Sequence, residues 1–202
     1  MILLICGATK TVNKYRHSSH IGVLFNPRKM NSISTATPSW ACDNDAYNGF
    51  DSHRFLIMLE KVNSVPGCKF VTCPDVVGNA EETLRLFTEW EPVIHKYNLP
   101  VALVGQDGLE SLEIPWDKFE AYFIGGTDKW KLSEGSYQIA QEAKRRSKWV
   151  HMGRVNSLRR IRYAQIWGCD SIDGSGFSRF PERKIPNALL LLEGEPERGL
   201  FG

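Results

Sequence analysis

The chain has 202 residues, enough to bury one good core and to form one domain. With 42% hydrophobic and 24% charged residues it has the composition of an ordinary soluble globular protein, and no apolar run reaches the ~18 residues of a membrane span. The formal net charge is only +2, and five cysteines without a Cys-x-x-Cys pair argue against a disulfide framework or a zinc site.

Met1–Cys6 lacks a basic flank and is too short for a signal peptide, so it reads as a first buried strand. Thr9–His20 and Asn26–Ser39 read as loops on either side of a strand at Ile21–Phe25. A third strand is expected at Trp40–Asp43, then a helical stretch without a breaker at His53–Lys61. Phe70–Cys73 is the fourth strand. Asn79–Lys96 carries Leu84, Phe87 and Trp90 at helical spacing, with Asn79 suited to cap it and Pro92 expected to kink or divide it. Strands follow at Val101–Gly105 and Tyr122–Gly125, and a Ser-capped helix over Ser133–Ser147. Trp149–Met152 is the seventh strand. Ser157–Trp167 places Leu158, Ile161, Ala164 and Ile166 on a buried side and ends at Gly168; Ser171–Asp173 is the eighth strand. After Pro181, Leu189–Leu192 is expected to form a short packing segment before a frayed end.

Short apolar runs alternating with helices imply a parallel α/β sheet, and eight of them imply closure. The fold expected is a compact (β/α)8, TIM-like barrel with reduced helices, because such barrels usually take about 250 residues. Residues 1–202 would form a single domain, with the tail after residue 185 peripheral. The reduced thiols suit the cytoplasm, and nothing implies a cofactor or a metal.

The strand ends are the informative part. The runs stop, in turn, at Asp43, Asp75, Gly105-Gln106-Asp107, Gly125-Gly126, Gly153-Arg154 and Asp173. A parallel barrel puts all these ends on one face, so three carboxylates from distant positions would share one pocket. Singly, each residue also reads as a cap or a turn; Tyr47 and Met152 read equally as core, and His151 as a packed or hydrogen-bonded strand residue. Trp130 would line a groove or fill the outer barrel.

Asp43-Asn44-Asp45-Ala46-Tyr47 resembles the Asp-Ser-Gly-Gly-Phe segment of tRNA-guanine transglycosylases. Gly168-Cys169-Asp170-Ser171-Ile172-Asp173, continuing to Arg179, resembles their nucleophile segment, Gly-Ile-Asp-x-Phe-Asp-x-x-x-Pro-Thr-Arg. Asp75, Gly105-Gln106, Gly125-Gly126 and Met152-Gly153 match in the same order, so the resemblance spans roughly residues 40–180. The Cys-x-Cys-x-x-Cys…His zinc segment of the tRNA-acting members has no counterpart here. The chain looks more like the DpdA-type DNA 7-deazaguanine transglycosylases of phages and bacteria.

That resemblance implies a pentosyltransferase that exchanges guanine in DNA for a free 7-deazaguanine base such as preQ0, in the cytoplasm, or in a host's cytoplasm if phage-encoded. By resemblance Asp173 is the nucleophile and Asp43 the acid/base, with Asp45 as the alternative acid. Asp75 would read the guanine edge. Gln106 and the backbone at Gly125 and Gly126 would bind its carbonyl, and Tyr47 and Met152 would stack on its faces. The partners implied are DNA and the free base; RNA exchange, a base-binding module and an N-glycosidase are the alternatives. A second copy of the chain or an accessory protein is compatible with this reading.

Between Lys144 and Lys184 stand eleven bases and three acids, a local charge of +8. This segment reads as a solvated helix face or as a phosphate-binding surface, with Arg154, Arg159, Arg160 and Arg179 the residues placed to hold a nucleic-acid backbone.

Overall fold

A computed structural model describes residues 1–7, 9–29 and 39–194. Eight strands close into a barrel in strict sequence order, every neighbouring pair parallel. They are β1 (Ile2–Cys6), β2 (Ile21–Phe25), β3 (Trp40–Cys42), β4 (Cys68–Thr72), β5 (Val101–Gly105), β6 (Ala121–Ile124), β7 (Trp149–Met152) and β8 (Ser171–Asp173). The last strand closes on the first through Ile2 opposite Ser171 and Leu4 opposite Asp173. This is the (β/α)8 barrel expected from the sequence.

Successive strand residues face opposite sides of a sheet. One alternate set, Leu4, Leu24, Ala41, Phe70, Ala102 and Ala121, fills the barrel interior, with Ile2, Cys6, Phe123 and Trp149 packed on it. The other set, including Leu3, Val23, Trp40, Val71, Leu103, Tyr122, Val150 and Ile172, meets the helices outside. So small a barrel leaves little room at its axis. A Cβ on Gly22 would come within 2.7 Å of both the Leu4 side chain and the Ser39 carbonyl.

The helices are α1 (Thr9–Tyr15), α2 (Ser52–Val62), α3 (Ala80–His95), α4 (Asp128–Lys131), α5 (Glu134–Arg145), α6 (Leu158–Ile166), α7 (Ser175–Arg179) and α8 (Pro181–Glu193). Side-chain caps start most of them. Asp51 accepts from the Arg54 N–H at 3.0 Å, Asn79 from Glu82 at 3.0 Å and Ser157 from Arg160 at 3.3 Å. Each satisfies an N–H that the helix itself leaves without an acceptor.

Four expectations need correction. Thr9–His20 is not all loop: α1 occupies Thr9–Tyr15, held by the single buried aliphatic Val12. Pro92 does not divide the helix that starts after Asn79; it lies in the final turn of one continuous helix. In α6 only Ile161 and Ala164 are buried, whereas Leu158 and Ile166 are 45% and 52% exposed. The segment after Pro181 is a full helix, with Ile185, Ala188 and Leu192 buried on one face, and Leu190 of the expected packing run is exposed. Residues 30–38, within the expected Asn26–Ser39 loop, and the expected frayed end at 195–202 lie outside the described residues.

Candidate active site

The inward alternation runs to the strand ends and, at Asp43 and Gly153, one residue beyond. From Leu4 it reaches Cys6, from Ala41 it reaches Asp43, and from Ser171 it reaches Asp173. From Trp149 it reaches His151 and Gly153. These positions converge above the barrel floor, and their charges are felt mutually. Asp43 is raised to about 7, first because burial disfavours its charge and then because Asp173 and Asp75 are negative neighbours. Cys6 is pushed up to about 12 by burial, with Asp43 and Asp173 adding to it. So large an upward displacement keeps its thiol protonated.

The Asp43 carboxyl has few supports. Among the described residues, its Oδ1 receives only a long 3.4 Å contact from the Asp45 N–H. Asp45 is differently placed. It takes a left-handed backbone, φ 59°, and its carboxylate is held by Arg28 at 3.0 Å and Asn48 at 2.7 Å. Arg28 also donates to the Gly49 carbonyl at 2.8 Å, clamping the turn that carries Tyr47. Of the two acids left open by the sequence, Asp45 is fixed in the rim by Arg28 and Asn48, and Asp43 has no such charged partner among the described residues.

Asp75 is braced by two amides. Its Oδ1 accepts from Asn44 at 2.8 Å and its Oδ2 from Gln106 at 2.5 Å. Burial raises its carboxyl above the ordinary range, against the pull of those two hydrogen bonds and of Arg154. Asn44 is itself immobilised, because it also donates to the Cys73 carbonyl at 2.5 Å and accepts from the Ala46 N–H at 2.7 Å.

Gln106 and the glycine pair serve one another. The Gln106 Oε1 accepts from the N–H of Gly78 at 2.9 Å and of Gly126 at 3.0 Å, and the Gly125 N–H donates to the Gly105 carbonyl at 3.1 Å. Both backbone donors expected to bind a base carbonyl are therefore engaged within the protein. The pair is needed for packing instead. A Cβ on Gly125 would lie 2.8 Å from the Gly105 carbonyl oxygen, and one on Gly126, where φ is 70°, would run into the Trp130 ring. Trp130 fills the outer layer and donates its indole N–H to Glu110 at 2.6 Å.

Asp173 is held from one side. Its Oδ1 lies 3.1 Å from His151 Nε2 and accepts from the Arg154 N–H at 3.1 Å. Among the described residues, Oδ2 has no hydrogen-bond partner. Arg154 reaches it from a strained turn, φ 58°, whose preceding carbonyl, Gly153, accepts from Lys131 at 2.6 Å. Lys131 is a buried lysine that sequence reasoning missed. Burial, then the nearby Arg154 charge, pulls its ammonium down to about 8, while Asp173 acts in the opposite sense. Its only sequence signal is a charge set between two apolar residues, Trp130 and Leu132. The Arg154 guanidinium donates to the Gly126 carbonyl and stands 6.0 Å from the centre of the Tyr47 ring.

Tyr47 is 75% exposed, a flat surface at the rim beside these groups. Met152 is not beside them. His151 faces the interior, so its neighbour Met152 faces the helices, where it is fully buried in the outer core. The expected second stacking residue is thus a core residue.

The basic segment divides in two. Lys144, Arg145, Arg146 and Lys148 precede β7 and lie at the opposite end of the barrel from the strand ends. The first three pair with Asp170 or Glu142, and Lys148 donates to the Phe119 carbonyl. Arg154, Arg159, Arg160 and Arg179 follow β7 and β8 on the carboxylate side. Arg160 is tied to Asp128 at 2.8 Å, whereas Arg159, held to the Tyr163 hydroxyl at 3.2 Å, and Arg179 are exposed. Among the described residues no group of three or more His, Cys, Asp or Glu is placed to hold a metal ion, and no helix is long and apolar enough to cross a membrane.

No family model matches this chain, and no curated protein matches it. Among solved structures it is similar to an HpcH/HpaI aldolase from Desulfitobacterium hafniense DCB-2, at 10% identity and a TM-score of 0.50, over 98% of this chain and 95% of that one. At that identity the likeness bears on the fold alone, and it agrees with the TIM-barrel architecture seen here.

Proposed function

We propose that the chain is a DNA-guanine transglycosylase, which exchanges guanine in DNA for a free 7-deazaguanine base through a covalent Asp173–sugar intermediate. The observation that carries the reading is a protonated carboxyl, Asp43, beside a second carboxyl, Asp173, that has an open oxygen. Asp43 keeps its proton to about pH 7, while Asp173 offers a carboxylate oxygen without a hydrogen-bond partner among the described residues. A carboxyl that holds its proton near neutrality, beside a second carboxyl with an open oxygen, suits displacement at a sugar carbon.

In this mechanism Asp173 Oδ2 attacks C1′ of the target nucleotide as the bond from C1′ to the base nitrogen breaks. Asp43 gives its proton to the departing guanine. The Asp43 carboxylate then takes the ring N–H proton of the incoming base. That base displaces Asp173 from C1′ and regenerates the free carboxylate. Two inversions retain configuration. A covalent intermediate divides one difficult substitution into two easier ones, and acid–base help is worth about 10²–10⁴ in rate.

Asp75, braced by Asn44 and Gln106, would accept from the N–H and amino groups of the guanine edge. Adenine offers no such pair of donors, and a site built on buried acceptors rejects an analogue lacking them by about 10⁴–10⁵. Tyr47 would stack on the extruded base for about 1–3 kcal/mol, against an unstacking cost of a few kcal/mol.

Exchange of radiolabelled guanine into DNA and into tRNA tests the reading. Label entering DNA is the expected result. Entry into tRNA alone would move the substrate to RNA, release of base without entry would make the protein an N-glycosidase, and neither would refute exchange altogether.

A further inference from the structure

Below Asp173 the interior face carries a row of polar side chains with one consistent direction. The Trp149 indole Nε1 lies 2.8 Å from Ser171 Oγ, Ser171 Oγ lies 2.8 Å from His151 Nδ1, and His151 Nε2 lies 3.1 Å from Asp173 Oδ1. Ser171 and His151 are fully buried. An indole nitrogen can only donate, so Ser171 Oγ accepts from it. The hydroxyl hydrogen then needs an acceptor, and among the described residues His151 Nδ1 is the one within reach. Nδ1 therefore carries no proton, and Nε2 does, donating to Asp173 Oδ1.

The reverse assignment fails for the same reason. If His151 donated from Nδ1, the Ser171 hydroxyl would face two donors and its own hydrogen would be buried without a partner. A buried hydroxyl hydrogen without an acceptor forfeits the hydration it had in water and gains nothing in return. Oδ1 of Asp173 also accepts from the Arg154 N–H, so it faces two donors and cannot itself carry a proton. The His151 ring is packed against both Phe70 and Phe123, at centroid distances of 5.0 Å and 4.5 Å, which limits its freedom to turn.

We infer that Trp149, Ser171 and His151 form a fixed donor chain that makes His151 a positioning residue for Asp173, holding Oδ1 and presenting Oδ2 alone to the substrate. The role in catalysis rests on the transglycosylase reading; the direction of the chain does not. Such a chain fixes the attack angle of one oxygen, and a misplacement of about 1 Å at a reacting atom costs on the order of 10²-fold in rate.

Two measurements test it. Nitrogen-15 NMR of histidine-labelled protein at pH 7 reads the proton positions without any substrate. The expected spectrum shows His151 neutral, protonated at Nε2 and bare at Nδ1, with a mixture of tautomers appearing in Ser171→Ala. An Nδ1–H tautomer or an imidazolium in the wild type would overturn the chain. In the exchange assay, His151→Phe should lower kcat about 10²-fold with KM little changed, and His151→Gln, which keeps an N–H donor, should recover part of it. Equal kcat in all three folded proteins would overturn the positioning role. An expected spectrum with no exchange in any protein would leave the chain standing and refute the transglycosylase reading.

Discussion

Oδ2 of Asp75 accepts a 2.5 Å hydrogen bond from Nε2 of Gln106, and the other end of that amide gathers the N–H groups of Gly78 and Gly126. One side chain thus joins the ends of β4, β5 and β6. Gln106→Leu leaves a buried carboxyl and two backbone donors short of partners, each worth about 1–3 kcal/mol. The variant should lose at least about 2 kcal/mol in urea unfolding. A loss below about 0.5 kcal/mol, the level of ordinary surface changes, would show that water replaces the amide.

Asp43 makes stability depend on pH. Its folded-state pKa of about 7 lies above that of an unfolded aspartate, so between about pH 4 and pH 7 the folded chain holds a proton that the unfolded chain has released. Stability therefore falls as pH rises through this window, and the cost is fully present above it. Asp43→Asn removes the ionisation. It should be more stable than the wild type at pH 8, on the order of 1.4 kcal/mol for each tenfold gain in proton affinity that folding gives this carboxylate, with that advantage gone near pH 3.5. Urea titrations at several pH values check this; a difference that does not vary with pH would contradict it.

The backbone at Arg154 separates strain from charge. With φ at 58°, any residue with a Cβ is strained there, and glycine is not. Arg154→Gly and Arg154→Ala both remove the guanidinium from Tyr47 and from the Gly126 carbonyl. The glycine variant should be the more stable by about 1 kcal/mol, with equal loss of DNA affinity in both. Thermal unfolding and fluorescence anisotropy read the two effects apart.

The division of the basic segment gives a sharper test of the proposed nucleic-acid face. Each phosphate contact contributes nearly one unit to the slope of log affinity against log salt. Reversing the charges of Arg159 and Arg179, on the carboxylate side, should reduce the slope by about 2. Reversing Arg145 and Arg146, at the other end and paired with Glu142, should leave it unchanged. Equal effects from both pairs would place DNA elsewhere.

The barrel was legible because strands buried on both faces leave unbroken apolar runs, and Ile21–Phe25, Val101–Gly105, Trp149–Met152 and Ser171–Asp173 begin and end where those runs do. Helix α1 was not, because seven mostly polar residues with Val12 as their one buried aliphatic carry no periodic signal. The acids at 43, 75 and 173 were found because each closes an apolar run. Parity decides between the two readings of Met152: His151 and Met152 are adjacent, and only the facing of β7 determines which one enters the barrel. The same parity, applied to Trp149 and His151 and to Ser171 and Asp173, marks the donor chain as two interior pairs at spacing two. Lys131 has no such mark, since its burial arises from the turn at Gly153 brought against it by the fold.

The central claim is that Asp173 bonds to the sugar. Intact-mass measurement and peptide mapping, after denaturing the protein with a guanine-containing DNA strand, test it most directly. The expected adduct adds the mass of the strand less one guanine, maps to the peptide carrying Asp173, is absent in Asp173→Ala and is discharged when free 7-deazaguanine is added. An adduct that persists in Asp173→Ala, or base exchange that proceeds in that variant, would contradict it.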